Sequence, residues 1–466
     1  MPTRPNLLFV FADQLRAREL EDPAHPLETP AFDRLCAEGT RFANAATNCP
    51  VCTPARAMLL TGQYPLTSRV VANDLPLPAD AVTMGSTLRA AGYRTGYIGK
   101  WHLDGVPRAR FTPPGPRRHG FDSWAVHNCT HAYLQSTYYR DSPEPLPIPG
   151  YEPVFQTDLA LDFLRAPASE PFCLFLSWGP PHDPYHALPP ADAARYDPAR
   201  IAYPANFLRD DPAHWPPGRS LQPLLRQTDP RQALAHYYGH ITALDRELGR
   251  LLAELDRLGL ADNTLVVYTS DHGDMLWSHG RQMKQQPWDE AVRIPLVVRW
   301  PGHVPAASVH AGCVSLVDLP PTLLAALGVT PPPTMEGREL SGALFGVDPQ
   351  GPESAFLLDL VVCDQSWVMQ VPAWRGVRTR RHTYARTHEG AWVLYDNLAD
   401  PDQLANLVGQ PAHAALQAAL EAELQAWLDR TSDAFETDEA ILRRLGLTDL
   451  WNARERELWG ERARLL

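Results

Sequence analysis

The chain has 466 residues, of which 44% are hydrophobic and 21% charged, and its formal net charge at pH 7 is -12. This length and composition are typical of a globular protein with one large α/β domain and a second, smaller one, or with two medium domains. The acidic balance argues against nucleic acid and anionic membrane surfaces as main partners, because both need a basic face on the protein.

The N-terminus and the cysteine content predict a cytoplasmic location. Residues 1–16 contain a short apolar run but lack the longer run and small-residue cleavage site of a signal peptide. No stretch of the sequence approaches the ~20 apolar residues of a membrane span. The seven cysteines are scattered and odd in number, which fits a reducing compartment better than a disulfide framework.

Short apolar runs alternate with helical patterns along the first three quarters of the chain. The runs that predict buried parallel strands are 6–11, 94–99, 172–178, 264–270 and 294–300, and helical patterns cover 29–39, 83–92 and 236–259. This alternation predicts an α/β fold with a mostly parallel central sheet between helices. The proline-rich stretches 103–154 and 180–230 predict long ordered loops that shape a substrate entrance.

The last quarter of the chain predicts a small α+β unit and a tail. A linker is expected over 346–356, and a helix over 413–431. The tail is amphipathic and charged, which predicts an arm that packs against another subunit of a homo-oligomer. We therefore divide the chain into a catalytic α/β domain, a C-terminal subdomain of antiparallel sheet plus helix, and the tail, over 1–350, 357–432 and 433–466.

Lysine is almost absent from the sequence. Lysine and arginine together number 42, yet Lys100 and Lys284 are the two lysines of the chain. Codon usage explains the many arginines but not why these two positions keep an ammonium group. An ammonium is a compact charge with a tunable pKa, whereas a guanidinium is a wide, permanently charged fork. Both lysines are therefore candidate functional residues.

Polar side chains follow four of the predicted strands. Ligands of open α/β sheets bind beyond the carboxyl ends of the strands. Carboxylate, amide and imidazole groups together suit a hard or borderline divalent cation such as Ca²⁺, Mg²⁺ or Mn²⁺. A polar turn in which Asp271 caps a helix is the alternative for 271–274, but the matching group after the first strand favours a metal. The residues at the four strand ends are Asp13 and Gln14; Lys100, Trp101 and His102; His182 and Asp183; and Asp271, His272, Gly273 and Asp274.

Residues 49–62, CPVCTPARAMLLTG, place two cysteines three positions apart. A redox pair should follow a convincing strand, which is missing here, and a zinc site needs a second Cys or His pair nearby. Pro54 and Gly62 instead predict a helix that begins near Cys52, where backbone N–H groups favour an anion. Arg56, one turn further on, can face the same site.

These motifs occur together in the sulfatase family, which the chain resembles over nearly its whole length. The similar segments are CTPARAMLLTG (52–62), ADQ (12–14), GYIGKWHL (96–103), PPHDPY (180–185), SDHGD (270–274), KQQPWDEAVRIPLVVRWPG (284–302) and LYDNLADPDQLANL (394–407). The resemblance implies an alkaline-phosphatase-like α/β fold and a type I sulfatase that acts on small-molecule sulfate esters.

The resemblance also implies a modified nucleophile. Cys52 matches the cysteine that a formylglycine-generating enzyme oxidises to Cα-formylglycine in this family, whereas Cys49 lies outside the pattern. One hydroxyl of the hydrated aldehyde attacks sulfur to give a covalent sulfo-enzyme intermediate, and deprotonation of the second hydroxyl expels the anion. The same resemblance implies that Asp13, Gln14, Asp271 and His272 hold one divalent cation together with residue 52, with Ca²⁺ the first choice and Mn²⁺ or Mg²⁺ the alternatives.

Further roles follow from the same resemblance. Arg56 and His102 are expected to orient the diol, with His102 a candidate base. Lys100 and Lys284 are expected to neutralise the non-bridging oxygens, and His182 or Lys284 to protonate the leaving oxygen. Asn73 is a candidate substrate contact, with a turn residue as the alternative. Three further residues either line the leaving-group pocket or belong to a polar loop, namely His127, His131 and Tyr133.

Two positions depart from the commonest sulfatase pattern. Gln14 stands where many members have a second Asp, and His272 stands where many have Asn. These forms resemble the branch that includes phosphonate monoester hydrolases and phosphodiesterases as well as sulfatases. A phosphonate monoester or phosphodiester hydrolase is therefore the nearest alternative function. A non-catalytic metal-binding relative and a disulfide oxidoreductase built on Cys49 and Cys52 are the alternatives from other classes.

Overall fold

The computed structural model describes residues 4–21, 27–208 and 229–466. Part of the proline-rich stretch 180–230, from 209 to 228, lies outside the described residues. The described strands are β1 (Asn6–Asp13), β2 (Thr40–Phe42), β3 (Arg94–Lys100), β4 (Ser123–His127), β5 (Thr137–Tyr138), β6 (Leu146–Pro147), β7 (Phe172–Pro181), β8 (Thr264–Ser270), β9 (Leu296–Arg299), β10 (Ser308–His310), β11 (Ser354–Asp359), β12 (Trp374–Thr379), β13 (His382–Thr387) and β14 (Gly390–Asp396).

The described α-helices fall between these strands and after them. They are α1 (Ala17–Glu21), α2 (Pro30–Glu38), α3 (Cys52–Thr61), α4 (Pro65–Ser68), α5 (Met84–Ala90), α6 (Glu152–Arg165), α7 (Pro190–Ala193), α8 (Pro230–Arg257), α9 (Asp289–Val292), α10 (Leu319–Ala326), α11 (Ser341–Leu344), α12 (Asp364–Val368), α13 (Ala414–Arg430), α14 (Asp438–Arg444) and α15 (Thr448–Trp459). In the described parts of the chain, no helix is long and apolar enough to cross a membrane.

An eight-stranded sheet forms the centre of the molecule, in the order β10-β2-β9-β8-β1-β7-β3-β4. The neighbours from β8 through β1, β7 and β3 to β4 are all parallel, which confirms the predicted α/β architecture. The prediction that 294–300 is a parallel strand is wrong, because β9 runs antiparallel to β8 and β2. Its connection to β8 stays at one end of the sheet, without the crossover that a parallel neighbour requires.

Apolar side chains on both faces of the sheet hold it between two layers of helices. Successive residues of β1 alternate between two buried clusters, with Phe9 and Phe11 in one and Leu8 and Val10 in the other. All eight residues of β1 are buried, as expected for a central parallel strand.

The second sheet is antiparallel, with the order β11-β12-β13-β14. Its first strand pairs with β12 along its whole length, from Ser354 to Asp359. The linker predicted over 346–356 is wrong from Ser354 onward, because these residues already belong to the sheet. Helix α13 packs against β12 and β13. The division at 1–350 and 357–432 stays a prediction.

The residues of the predicted tail, 433–466, form α14 and α15 and pack on their own chain. Trp451 and Arg454 of α15 are almost completely buried. Near the chain end, Arg464 donates a hydrogen bond to the Val362 carbonyl at 2.6 Å and pairs with Asp438 at 3.0 Å. The ion pair between Arg454 and Asp364 places the tail beside α12, and packing against a second subunit stays a prediction.

Candidate active site

The polar side chains that follow β1, β8, β3 and β7 meet at one edge of the central sheet. These four strands are adjacent and parallel, so their carboxyl ends lie side by side. Asp13, Lys100 and Asp271 are completely buried there, and His182 is 3% exposed. No described helix begins at Asp271, so its interpretation as a helix cap is wrong.

Four residues could hold one metal ion at this edge. Asp13, Cys52, Asp271 and His272 are buried, and each offers a ligand atom within 4.8 Å of the others. The Cys52 Sγ lies 3.2 Å from His272 Nε2 and 3.8 Å from Asp13 Oδ1. Two carboxylates and an imidazole form a donor set that fits a hard or borderline divalent cation.

Gln14 borders this group, and its side chain has other partners. Its amide nitrogen donates to Asp274 Oδ2 at 2.6 Å, and its amide oxygen accepts from Lys284 Nζ at 2.7 Å. Its backbone N–H donates to Asp271 Oδ1 at 3.1 Å, with a positive φ of 68°. Gln14 therefore contacts a candidate ligand, while its own role as a ligand stays a prediction.

Two buried cations compensate the two carboxylates. Arg56 bridges them, with Nη2 3.0 Å from Asp13 Oδ2 and Nε 3.1 Å from Asp271 Oδ2. Lys100 Nζ lies 2.6 Å from the same Asp13 oxygen. Burial and the Cys52 side chain raise the pKa of Asp13, but Lys100, His182 and Arg56 outweigh them and hold that pKa well below its usual range. Asp13 is therefore ionised although it is completely buried.

Cys52 begins α3, as predicted from Pro54 and Gly62. The helix ends at Thr61, and Gly62 caps it with a left-handed φ of 61°. Burial raises the pKa of the Cys52 thiol, but Lys284, Lys100 and His272 reverse this and place it well below the ordinary value. Burial instead raises the pKa of Cys49 well above that value. The two cysteines thus differ in chemistry, and both are free thiols.

A cavity of about 190 Å³ opens above Cys52. Lys284 Nζ lies 2.7 Å from His182 Nε2, and His182 Nδ1 lies 2.8 Å from the Asp183 carbonyl oxygen. Burial and the neighbouring Lys284 lower the pKa of His182. The residues that line this cavity are Cys52, Asn73, Lys100, His102, Arg108, His131, His182, Asp183, Met283, Lys284, Asp364, Gln365, Leu458 and Trp459.

His102 lies in this cavity and is fixed by Asp74. Its Nε2 is 2.9 Å from Asp74 Oδ1, and the same carboxylate binds Arg108 through two nitrogens, each at 2.8 Å. Burial lowers the pKa of His102, but Cys129 and Asp74 outweigh it and raise the pKa to about 10. His102 is therefore positively charged in this arrangement.

The structure places two of the four weaker sequence candidates in the cavity and two outside it. Asn73 lines the cavity, where its Oδ1 accepts from the Thr53 backbone N–H at 3.0 Å. His131 also lines the cavity, and its ring stacks on that of His182 at 4.4 Å. His127 instead pairs with Glu152 at 3.1 Å, and Tyr133 donates to backbone carbonyls. His127, the last residue of β4, and Tyr133, in the loop that follows, do not line the cavity.

Several lining residues were not predicted from the sequence. Arg108 lies in a loop outside the quoted motifs, and Asp364, Leu458 and Trp459 come from the C-terminal part of the chain. Asp74, which fixes the lining residues His102 and Arg108, was not predicted either. Asp74 directly follows the candidate Asn73, and this adjacency is the one signal that could have pointed to it. The remaining residues reach the cavity through long-range packing that no local pattern encodes.

The fold and this site indicate a class of hydrolases with a buried candidate metal site at the sheet edge and a cysteine at a helix start. The sulfatase family model matches residues 5–329, and the model described as N-sulphoglucosamine sulphohydrolase, C-terminal, matches 277–430. The chain therefore belongs to the sulfatase family and is an enzyme of that class.

Individual relatives cover almost the whole chain. An ulvan-active sulfatase of Formosa agariphila is 36% identical, over 95% of this chain and 84% of its own length. The structure of BT4656 in complex with its substrate D-glucosamine-2-N,6-O-disulfate has a TM-score of 0.81 at 25% identity, covering 94% of this chain and all of that one. The phosphonate monoester hydrolase of Silicibacter pomeroyi has a TM-score of 0.75 at 26% identity, covering 92% of this chain and 96% of that one.

Proposed function

We propose that this enzyme hydrolyses a small-molecule sulfate ester with a formylglycine derived from Cys52 and a bound divalent cation. The carrying observation is the position of Cys52, which contacts the candidate metal ligands on one side and lines the cavity on the other. The relatives that are named as sulfatases support the same reaction.

Asp13, Asp271 and His272 would hold the cation together with residue 52, with Gln14 as a further candidate. Bound there, a divalent cation supplies positive charge that acidifies a hydroxyl and polarises the ester. Ca²⁺ is our first choice because carboxylate and amide oxygens dominate the set, with Mn²⁺ and Mg²⁺ as alternatives. The hydrated aldehyde supplies two hydroxyls on one carbon, so one can attack sulfur and loss of the other's proton can release sulfate.

The protein side chains bind and orient the ester around this centre. Lys100 and Lys284 both line the cavity and would neutralise the non-bridging sulfate oxygens. His182 contacts Lys284 through Nε2 at 2.7 Å, so this pair can share the proton that the leaving oxygen needs. Arg56 fixes the two carboxylates, and His102 would contact the hydroxyls of residue 52.

The proposal also names a maturation partner, a formylglycine-generating enzyme. We would express the chain with and without such an enzyme and follow the peptide containing Cys52 by mass spectrometry. We expect the mass loss of thiol-to-aldehyde conversion together with sulfate release from 4-nitrophenyl sulfate. Cys52→Ala should lose hydrolysis, whereas Cys49→Ser should keep it. An unconverted Cys52 under both conditions, or a conversion without sulfate release, would contradict the proposal.

Gln14 supports a second candidate, a phosphonate monoester or phosphodiester hydrolase. A neutral amide in place of a carboxylate lowers the negative charge of the site, and the likeness to a phosphonate monoester hydrolase points the same way. Such esters carry one negative charge, as sulfate monoesters do. Comparing kcat/KM for phenyl sulfate and phenyl phenylphosphonate on the same preparation ranks the two activities.

A further inference from the structure

The residues that line the active-site cavity fall into two groups. One group surrounds residue 52 and would bind the reacting sulfate, with Lys100, His182 and Lys284 as its charged members. The other group comes from segments that no sulfatase motif covers, including Arg108 and the end of α15 at Trp459. The second group is therefore available to contact a part of the substrate that does not react.

The tail that carries Trp459 is fixed to the site by a buried arginine. Arg454 is completely buried, donates to the Asn73 carbonyl at 2.8 Å and pairs with Asp364. Asn73 in turn accepts from the Thr53 N–H and donates to Asp364 at 3.0 Å. Since Thr53 directly follows Cys52, the end of α15 is held in register with the reactive residue.

Trp459 brings an aromatic surface to the cavity. It is partly exposed, and its ring meets that of Trp367 edge to face, with centroids 5.0 Å apart. Its indole N–H has no hydrogen-bond partner among the described residues. Because that nitrogen is buried, the partly exposed indole offers its apolar surface, which suits the apolar face of a sugar ring.

Arg108 brings a guanidinium group whose orientation is set in advance. Nε and Nη2 each bind Asp74 at 2.8 Å, and Nη1 makes no hydrogen bond to any residue that the structure describes. The side chain is 34% exposed although it lines the cavity. Asp74 also contacts His102, so one carboxylate serves two cationic groups. The Nη1 edge can therefore pair with a second anion.

We propose that Trp459 and Arg108 form a second subsite, which binds a pyranose ring bearing an anionic group besides the reacting sulfate. The ring stacks on Trp459, and its carboxylate or second sulfate pairs with Arg108. Cys52, Arg108 and Trp459 line one cavity of about 190 Å³, so the reacting group and this subsite share one continuous space. This inference rests on the proposed function for the identity of the reacting group.

Binding to the Cys52→Ser variant tests the subsite without turnover. Calorimetric titrations in calcium buffer would use N-acetylglucosamine 6-sulfate, D-glucosamine-2-N,6-O-disulfate and glucuronic acid 2-sulfate. In this background, Arg108→Gln should weaken the two dianionic sugars at least tenfold more than the monoanionic one. Trp459→Ala should weaken all three sugars at least tenfold, and Trp459→Phe should restore most of that loss.

Arg110→Gln and Trp392→Ala are the matched controls, since neither residue lines the cavity, and both should bind like the parent. An equal loss for all sugars in Arg108→Gln, or unchanged binding in Trp459→Ala, overturns the subsite. If Arg108→Gln weakens only one of the two dianionic sugars, that sugar shows whether Arg108 pairs with a carboxylate or with a second sulfate. Failure of the converted enzyme to release sulfate, with these binding differences intact, would refute the proposed function and leave the subsite standing.

Discussion

Lys100 is the residue at which charge and size are both constrained. It is completely buried, and its Nζ lies 2.6 Å from Asp13 Oδ2. We expect Lys100→Ala to lower kcat about 10²- to 10³-fold, the usual cost of removing one group that stabilises developing charge. Lys100→Arg should not restore activity, because a planar guanidinium does not fit where a compact ammonium is enclosed.

Steady-state kinetics on 4-nitrophenyl sulfate measures this effect, and circular dichroism checks that the variants fold. Arg89→Ala, which removes an exposed cation paired with Asp122, is the control and should leave kcat unchanged. A Lys100→Arg enzyme with near-parental kcat would show that any cation suffices at this position.

Asp74 controls the protonation of His102. The carboxylate lies 2.9 Å from His102 Nε2 and helps to raise the pKa of His102 to about 10. Asp74→Asn removes that negative charge, so the pKa of His102 should fall, by about one to three units. If His102 is the base, the ascending limb of the pH profile of kcat should move to lower pH by the same amount.

The control is Arg108→Gln, which should move the pKa of His102 in the direction opposite to Asp74→Asn. It removes a cation that competes for Asp74, so the pKa of His102 and the associated limb should move to higher pH, if they move at all. An unchanged profile in Asp74→Asn would exclude His102 from the titration that limits the rate. A shift of the descending limb instead would identify His102 as a proton donor.

The site residues that could be predicted from the sequence are those of a rare residue type and those that directly follow a predicted strand. Lys100 and Lys284 stood out because the chain has no other lysine, and Asp13 and Asp271 because each directly follows an apolar run. Asp74, Arg108 and Arg454 resemble many ordinary surface residues, and only the fold buries or aligns them. Their roles depend on partners far away in the chain, which local patterns do not contain.

At the scale of elements, a side chain of helix α8 caps the N-terminus of helix α2. Asp245 of α8 accepts hydrogen bonds from the backbone N–H groups of Ala31 and Phe32, at 3.0 and 2.7 Å, in the first turn of α2. Because these donors have no partner within the helix, Asp245→Ala should lower the free energy of unfolding by about 1 kcal/mol or more. Urea unfolding followed by tryptophan fluorescence measures the difference.

The same contact predicts a pH dependence. Burial raises the pKa of Asp245 to about 6, above its value in an unfolded chain, so ionisation is disfavoured in the folded protein. The contribution of the protonated carboxyl is therefore present at pH 4 and falls as the pH rises toward 6. The free energy of unfolding of the parent minus that of Asp245→Asn should fall over that interval. A difference that stays constant would contradict the raised pKa.

The periodicity of the sequence predicted the positions of strands and helices better than it predicted which elements they pair with or pack against. The runs that became β1, β3, β7 and β8 were found because buried parallel strands are apolar throughout. The direction of β9 was missed, since the run itself does not record whether the chain crosses over before it. The packing of α15 at the active site was also missed, because an amphipathic pattern shows that a face is buried but not what covers it.

At the scale of the molecule, the candidate metal site joins segments that are distant in sequence. Asp13 ends β1, Cys52 begins α3, and Asp271 and His272 follow β8. A cation bound there links the centre of the sheet to a helix on its surface. Binding should therefore stabilise the folded chain as a whole rather than one loop.

Metal removal tests this coupling. A cation that binds the folded state alone stabilises it by about 2.7 kcal/mol when its concentration is 100-fold above Kd. We expect excess EDTA to abolish sulfate release and to lower Tm by a few degrees, with both recovered on adding Ca²⁺, Mn²⁺ or Mg²⁺ in an order that ranks the ions. Calorimetry with and without the cation gives the shift directly.

Asp271→Asn should lose this metal-dependent shift, because it removes one ligand charge and one partner of Arg56. Asp318→Asn is the matched control, since Asp318 is almost equally buried but binds Ser315 and Arg338, neither of which is a candidate ligand. It should keep the shift even if its own Tm is lower. A shift that survives undiminished in Asp271→Asn would place the cation elsewhere in the molecule, because an ion held at the carboxyl ends of β1 and β8 should bind more weakly after the loss of one of its two carboxylate ligands.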